Sequence, residues 1–329
     1  MYEVRVIALP LLILVSLLLA ARSTTVSESA IESFSVTPTA SPLPAETTLL
    51  VTGDVMLGRF VNMQAVRKND FFWPWQNMAD LVSAADLAFI NLESPIIKSC
   101  PVTAEGMKFC GDIRHIAAMK QAGVDIASLA NNHAENYGVD GFQQTKTLLN
   151  EQGIATVGTG SLVVQEVRGT RFGFLGYNDV ETQWQHAVTK ADPGLIQKDI
   201  IEAKQAAAVV AVMFHWGGEY HERPTQRQQE LAYAAIDAGA DLVLGNHPHW
   251  VQTTEEYNGK LIVYSHGNFI FDQNWSRKTS EGIVGKYTFT GSELTGVEFV
   301  PVIIEHNAQP RVADEEEKGS ILSVVERAQ

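Results

Sequence analysis

The architecture of this chain is read most directly from Leu242-Val243-Leu244-Gly245-Asn246-His247-Pro248-His249. Three branched apolar residues form a strand that stops at a glycine, and the residues beyond it carry an amide and two imidazoles. Alternation about Pro248 in an extended segment aims the two imidazoles at different points of one small site. Upstream the same arrangement recurs: Thr52-Gly53-Asp54, Asn91-Leu92-Glu93, Ala130-Asn131-Asn132-His133 and Phe214-His215-Trp216-Gly217-Gly218 each follow an apolar run. In open α/β sheets the loops beyond the carboxyl ends of the strands converge on one crevice. These groups, distant in sequence, are therefore expected to meet.

Around these motifs strands alternate with helices, which implies α/β layering with helices outside a sheet. Strands are expected over 49–52, 87–91, 126–129, 207–214, 242–244 and 261–264. Helical patterns fall over 78–85, 113–122, 139–152 and 226–238. Strand-like segments follow over 287–290 and 297–304, then a charged stretch from Asp314. One domain is expected over 47–308, with a charged tail over 309–329.

Arg5 precedes an apolar run from Val6 to Ala21, interrupted by Pro10 and Ser16. That run reads as an export signal, cleaved or retained as an N-terminal membrane anchor over 1–21. Residues 22–46, rich in Ser, Thr, Pro, Ala and Glu, read as a tether. The chain is expected outside the cytoplasm: membrane-anchored facing outward, secreted or periplasmic. There Cys100 and Cys110, the only two cysteines, either close a small disulfide or stay two buried thiols.

With 329 residues, 45% of them hydrophobic, the chain can bury a sizeable core. A formal net charge of −14 argues against a nucleic-acid partner, whose phosphates call for clustered Lys and Arg. A polyanionic substrate would need a metal or local arginines to reverse the field.

The strand-end donors suit divalent cations. Carboxylates, amides and neutral imidazoles presented from several rigid strands are the set that two ions sharing a bridging carboxylate require. Asp54, Glu93, Asn132, His133, His215, His247 and His249 supply it, in a chain with nine histidines. Each motif alone has an ordinary explanation as a cap or polar turn; their joint occurrence favours a metal site. Arg59 and Arg223 are either planar forks for a carboxylate or phosphate, or solvated surface arginines. Trp216, Glu219 and Tyr220 form either a wall beside His215 or core packing.

Gly53-Asp54-Val55-Met56-Leu57-Gly58-Arg59, Asn91-Leu92-Glu93-Ser94-Pro95, Asn131-Asn132-His133, His215-Trp216-Gly217-Gly218-Glu219-Tyr220, Gly245-Asn246-His247-Pro248-His249 and Ser265-His266-Gly267-Asn268-Phe269-Ile270-Phe271-Asp272 stand in an order that resembles the bacterial CapA family of poly-γ-glutamate capsule synthesis, within the calcineurin-like metallophosphoesterase superfamily. The resemblance spans about residues 47 to 308. It implies a four-layer α/β/β/α sandwich holding two divalent ions, Mn, Fe or Zn. Carried over, Asp54 and His249 bind the first ion, Glu93 bridges, and Asn132, His215 and His247 hold the second. His133 is then the general acid that protonates the leaving oxygen.

Two departures stand out. Met56 occupies the place of the superfamily's first-motif histidine, and a thioether is a poor ligand beside carboxylates. His266 stands where an apolar residue is expected, and either faces the site, with Asn268, or sits in its strand. The resemblance implies hydrolysis by a metal-activated water acting on an anionic cell-surface polymer or a phosphoester, and possible membrane partners among polymer synthase or export subunits. The alternatives are a generic exported phosphoesterase and a non-catalytic accessory subunit.

Overall fold

A computed structural model of the chain describes residues 45–182 and 186–326. The expected signal or anchor over 1–21 and most of the linker lie outside the described residues. Among the described residues, no helix is long and apolar enough to cross a membrane.

The chain opens with β1 (Glu46–Val55), α1 (Arg59–Lys68), α2 (Ala79–Ser83) and β2 (Leu87–Leu92), then a small parallel pair, β3 (Ile96–Ile97) with β4 (Gly111–Asp112). Next come α3 (Arg114–Gln121), β5 (Ile126–Ser128), α4 (Gly138–Glu151) and β6 (Ala155–Val157). A second run comprises β7 (Val163–Val167), β8 (Thr170–Asn178), α5 (Pro193–Ala206), β9 (Val209–His215), α6 (Gln226–Asp237), β10 (Leu242–Asn246), β11 (Thr254–Tyr257) and β12 (Lys260–Val263). The chain then returns through β13 (Asn268–Ile270), β14 (Glu281–Thr290), β15 (Glu293–Glu305), β16 (Gln309–Val312) and α7 (Glu315–Val325).

Two mixed sheets result. The first has the order β16-β15-β14-β1-β2-β5-β6, with β13 also paired to β1; the second has the order β11-β12-β10-β9-β8-β7. Three apolar clusters account for the stacking. One packs Leu50, Ala88 and Ile90 of the first sheet under Val61 of α1, Ile116 and Met119 of α3 and Leu149 of α4. Another lies between the sheets, joining Leu49, Val51 and Phe89 to Phe172, Phe174 and Leu244. The third sets Val210, Val212 and Phe214 against Ile196 and Ile200 of α5 and Leu231 and Ala235 of α6.

The sequence enforces this layering with period two. In β9, Val209, Ala211 and Met213 face the sheet-to-sheet cluster, while Val210, Val212 and Phe214 face the helices. Each fully buried Val, Leu or Phe contributes about 1.5–3 kcal/mol.

One expectation about the domain's end fails. Residues after 308 were expected to form a charged tail, but β16 pairs with β15, and Ile321 and Val325 of α7 are buried in the cluster between the sheets. The charges occupy the helix's other face and its first turn, where Asp314 caps the helix in a capping box with Glu317.

Candidate metal centre

The strand ends meet because the registers align them. Asp54 of β1 pairs with Asn91 of β2 on one side and with Asn268 of β13 on the other. In the second sheet His215 of β9 lies opposite Asn246 of β10 and Asn178 of β8. Asp54 and Asn91 in the first sheet, and His215, Asn246 and Asn178 in the second, sit at the carboxyl ends of parallel strands, while Asn268 opens β13.

The backbones approach closely at this seam. A Cβ on Gly53 would collide with the carbonyl of Gly267, and one on Gly245 with the carbonyl of Tyr264 and the indole nitrogen of Trp216. Only glycine lets Asp54 and the His247 turn come so near the segment 264–268 that joins β12 to β13.

Glu93 is the centre of the arrangement. It is fully buried, and among the described residues neither carboxylate oxygen has a hydrogen-bond partner. Three imidazole nitrogens face its Oε1: Nε2 of His249 at 3.8 Å, of His215 at 3.9 Å and of His133 at 4.0 Å. Burial pushes the Glu93 carboxyl well above its usual range, and the neighbouring charges of Asp54 and Glu219 add to this. Asp54, equally buried, accepts from Asn91 Nδ2 at 2.7 Å and from the His247 backbone N–H at 3.2 Å.

His133, His215 and His247 are held neutral. Burial drives the His215 and His247 pKa values well below the ordinary 6.5, and the charge of neighbouring histidines works in the same direction. Burial likewise lowers His133 to about 4, against an Asn136 hydrogen bond that favours the charged form.

The tautomers follow from the partners. His249 Nδ1 lies 2.9 Å from Asn268 Oδ1 and 3.2 Å from Asp54 Oδ2, both acceptors, so Nδ1 carries the proton and Nε2 offers a lone pair. His133 Nδ1 donates to Asn136 Oδ1 at 3.0 Å, which likewise frees Nε2. Its ring stacks on Phe109 at 3.9 Å. His215 Nε2 shares a 2.8 Å hydrogen bond with Asn132 Oδ1.

This donor set fits a divalent cation. The Glu93 carboxylate and the Nε2 lone pairs of His249 and His133 are all acceptors and make no hydrogen bond to one another across 3.8 and 4.0 Å, yet an ion with ligand distances of about 2.0–2.2 Å would span them. Two donor triads within 4.8 Å, Glu93–His247–His249 and Asp54–Glu93–His215, share Glu93.

Several expected residues do other work. His247 and His249 do not lie in an extended segment: their φ values are +96° and +57°, a left-handed backbone that costs on the order of 1–3 kcal/mol each. His266 turns away from the cluster, its ring held between the Gly245 carbonyl and the Tyr287 hydroxyl, each at 3.0 Å. Asn268 is fully buried and orients His249, its amide nitrogen bonded to Gln273 and to the Thr279 carbonyl. It is not free to meet a substrate. Trp216 is fully buried, stacked on Phe214 and bonded to the Tyr264 carbonyl; it is core.

Arg59 spends its fork on Asp272 and lies over the Phe109 ring at 4.4 Å. Arg223 is exposed, and its carbonyl accepts from Gln252; among the described residues no contact brings its guanidinium to the cluster. Tyr220 does approach, with its ring 6.2 Å from that of His249, and Glu219 acts on Glu93 through its charge. Met56 is buried in the helix-side cluster, its sulfur accepting from the Gly58 N–H at 3.0 Å. Cys100 and Cys110 are joined, Cα to Cα 5.8 Å.

The residues that sequence reasoning left without roles are the orienting amides and a ring. Asn91 touches both Asp54 and His215, and Asn136 holds both His133 and the Phe109 N–H. Their signal was an asparagine at or just past a strand end, which reads equally well as a turn cap.

With the geometry described, comparison with known proteins is informative. The sequence model of a family described as bacterial capsule synthesis protein PGA_cap matches residues 48–273. The chain is 33% identical over 276 residues to the PGA biosynthesis protein CapA of Bacillus subtilis (strain 168), spanning 78% of this chain and 71% of that protein. It is 30% identical over 295 residues to the capsule biosynthesis protein CapA of Bacillus anthracis, spanning 83% and 71%. Among solved structures it resembles a novel phosphatase from Mycoplasma pneumoniae, with TM-score 0.53, 13% identity, and coverage of 79% of this chain and 95% of that one. At that identity the likeness concerns the fold alone. Two-thirds of the sequence falls within the family model and the likeness to both Bacillus proteins extends beyond it, so the chain belongs to the bacterial capsule synthesis protein PGA_cap family.

Proposed function

We propose that this chain is an extracytoplasmic, divalent-metal-dependent hydrolase that acts during synthesis, export or trimming of an anionic cell-surface polymer such as poly-γ-glutamate. One observation carries the reading: a fully buried carboxylate, Glu93, has no hydrogen-bond partner and is ringed by imidazole nitrogens at distances a cation would span. In this reading Glu93 would be shared between two ions, with Asp54 and His249 holding one and Asn132, His215 and His247 the other. Mn, Fe or Zn suits such donors.

Bound metal supplies Lewis acidity toward a carbonyl or phosphoryl oxygen and a water acidic enough to react near neutral pH. The chain's residues do the rest. Asn268 and Asn136 hold His249 and His133 with Nε2 facing inward. His133 begins neutral with a free Nε2, so it serves as general acid only after taking up a proton there during turnover. The two Bacillus relatives, a capsule biosynthesis protein and a PGA biosynthesis protein, support a role with such a polymer. The apolar run over 6–21 supports export and attachment, with synthase or export subunits as membrane partners.

The test is elemental analysis of the full chain purified without chelator, beside an Asn132→Ala/His247→Ala double variant. Stoichiometric Mn, Fe or Zn that the variant loses is expected, followed by turnover of poly-γ-glutamate. Turnover of phosphodiesters alone would point to a generic phosphoesterase. A folded wild-type chain that binds no metal would refute the reading.

A second reading, a non-catalytic subunit of a polymer synthase, is favoured by Met56. Its sulfur lies in the helix-side core where a ligand histidine is expected, which leaves the Asp54 site short of a donor. On either reading Mn²⁺ titration should give unequal affinities, the Asp54 site weaker; two equally tight sites would contradict this.

A further inference from the structure

Beside the metal cluster an indole stands in solvent although its loop is firmly braced. Trp275 is 60% exposed. Its ring packs edge-on against Tyr220 at 5.8 Å, and Tyr220 in turn lies 6.2 Å from His249 and 6.1 Å from Trp250.

The loop is tied down on both sides of Trp275. Gln273 bonds to Asn268 at 3.2 Å and to the Tyr220 hydroxyl at 3.4 Å, Ser276 bonds to Thr279, and Lys278 pairs with Glu222 across the cleft. Tyr220 is fixed as well, its N–H donating to the Pro248 carbonyl at 2.8 Å. Exposure of Trp275 is thus imposed by an ordered scaffold, which leaves its indole face open to a ligand beside Tyr220.

Two cations follow it. The Arg277 and Lys278 side chains are 61% and 45% exposed, and Lys278 Nζ lies 4.6 Å over the Trp250 ring. Each has one carboxylate partner, Glu281 and Glu222, and guanidinium and ammonium groups retain further donors beyond that pairing. On a chain of net charge −14, cations beside an apolar face are what a negatively charged chain with methylene segments would need.

We infer that Trp275, Tyr220, Arg277 and Lys278 form a subsite on the His249 side of the cluster for an extended anionic polyamide, the indole carrying its methylenes and the cations its carboxylates. This rests on the polymer reading above and adds the residues that select such a chain. Trp275 is a specificity determinant, not a catalytic residue.

The test is binding of fluorescent poly-γ-glutamate to the full-length, metal-loaded chain, followed by anisotropy. Inorganic polyphosphate, equally anionic but without methylenes, is the control. Trp275→Ala is expected to weaken polyglutamate binding about tenfold and to leave polyphosphate binding and metal content unchanged. Trp275→Phe should restore most of the loss, and Arg277→Gln/Lys278→Gln should weaken both ligands and flatten the salt dependence. Unchanged polyglutamate binding by Trp275→Ala, or an equal loss for both polymers, overturns the subsite while the polymer reading stands. A wild-type chain that binds no polyglutamate overturns both.

Discussion

Replacing Glu93 by glutamine should stabilise the metal-free protein and abolish its response to metal. The Glu93 carboxyl is buried beside Asp54 without a hydrogen-bond partner, and both burial and the Asp54 charge raise its pKa well above the usual 4.5. At pH 7 without metal it either stays charged against those forces or takes up a proton. Protonating such a group at pH 7 costs about 1.4 kcal/mol for each unit above 4.5, or about 3 kcal/mol, which bounds the penalty. An acid with a raised folded pKa destabilises the fold above its unfolded pKa and ceases to do so below it. Chemical denaturation in chelator should therefore find Glu93→Gln more stable than wild type by up to about 3 kcal/mol at pH 7, the gap closing near pH 4. Metal at a hundred times its Kd should add about 2.7 kcal/mol to wild type and far less to the variant. A metal-free Glu93→Gln protein less stable than wild type at pH 7 would refute the reasoning, because the carboxylate would then be satisfied without a cation.

The metal-free protein should lose stability as pH falls from 6.5 toward 4. Burial lowers His115 to about 3 and His133 and His266 to about 4, and takes His215 and His247 well below 6.5. Each such base charges in the unfolded chain first, costing up to about 1.4 kcal/mol per pH unit, with Glu93 opposing; a flat Tm profile over that window would contradict this. His266→Phe should cost about 1–3 kcal/mol by stranding the Tyr287 hydroxyl, the Gly245 carbonyl keeping the backbone N–H of residue 266, yet leave metal content unchanged, as denaturation and elemental analysis of one preparation can check. Cys100→Ser/Cys110→Ser should cost about 3 kcal/mol for a loop of this length, read as a lower denaturation midpoint.

The sequence made the parallel strands of the core and their polar ends legible, because apolar runs such as 207–214 and 242–244 stop where the donors begin. It hid β7 and β8, whose segment mixes Arg168, Gly169, Gly173 and Gly176 into the strand pattern, and α5, whose apolar face is short. Among site residues, Asp54, Glu93, Asn132, His133, His215, His247 and His249 were recognisable by donor type and do come together. Direction was not recognisable. Whether His266 faces the cluster or Tyr287, and whether Arg59 is free or bound to Asp272, depends on contacts between residues far apart in sequence. The positive φ values at His247 and His249 were equally hidden, because the tight approach of the 264–268 connection, which sequence spacing does not report, shapes that turn.

That close approach has a consequence for anyone sorting inactive variants. Gly53 and Gly245 carry no metal donor, yet any side chain there would push the 264–268 connection away from the segments that bear Asp54 and His247. In a random library these positions should behave as intolerantly as the ligands themselves, so a map of lost activity would draw the centre larger than its chemistry. Metal content of the soluble fraction would separate the two groups: donor variants stay soluble but bind less metal, whereas glycine variants drop out of solution first.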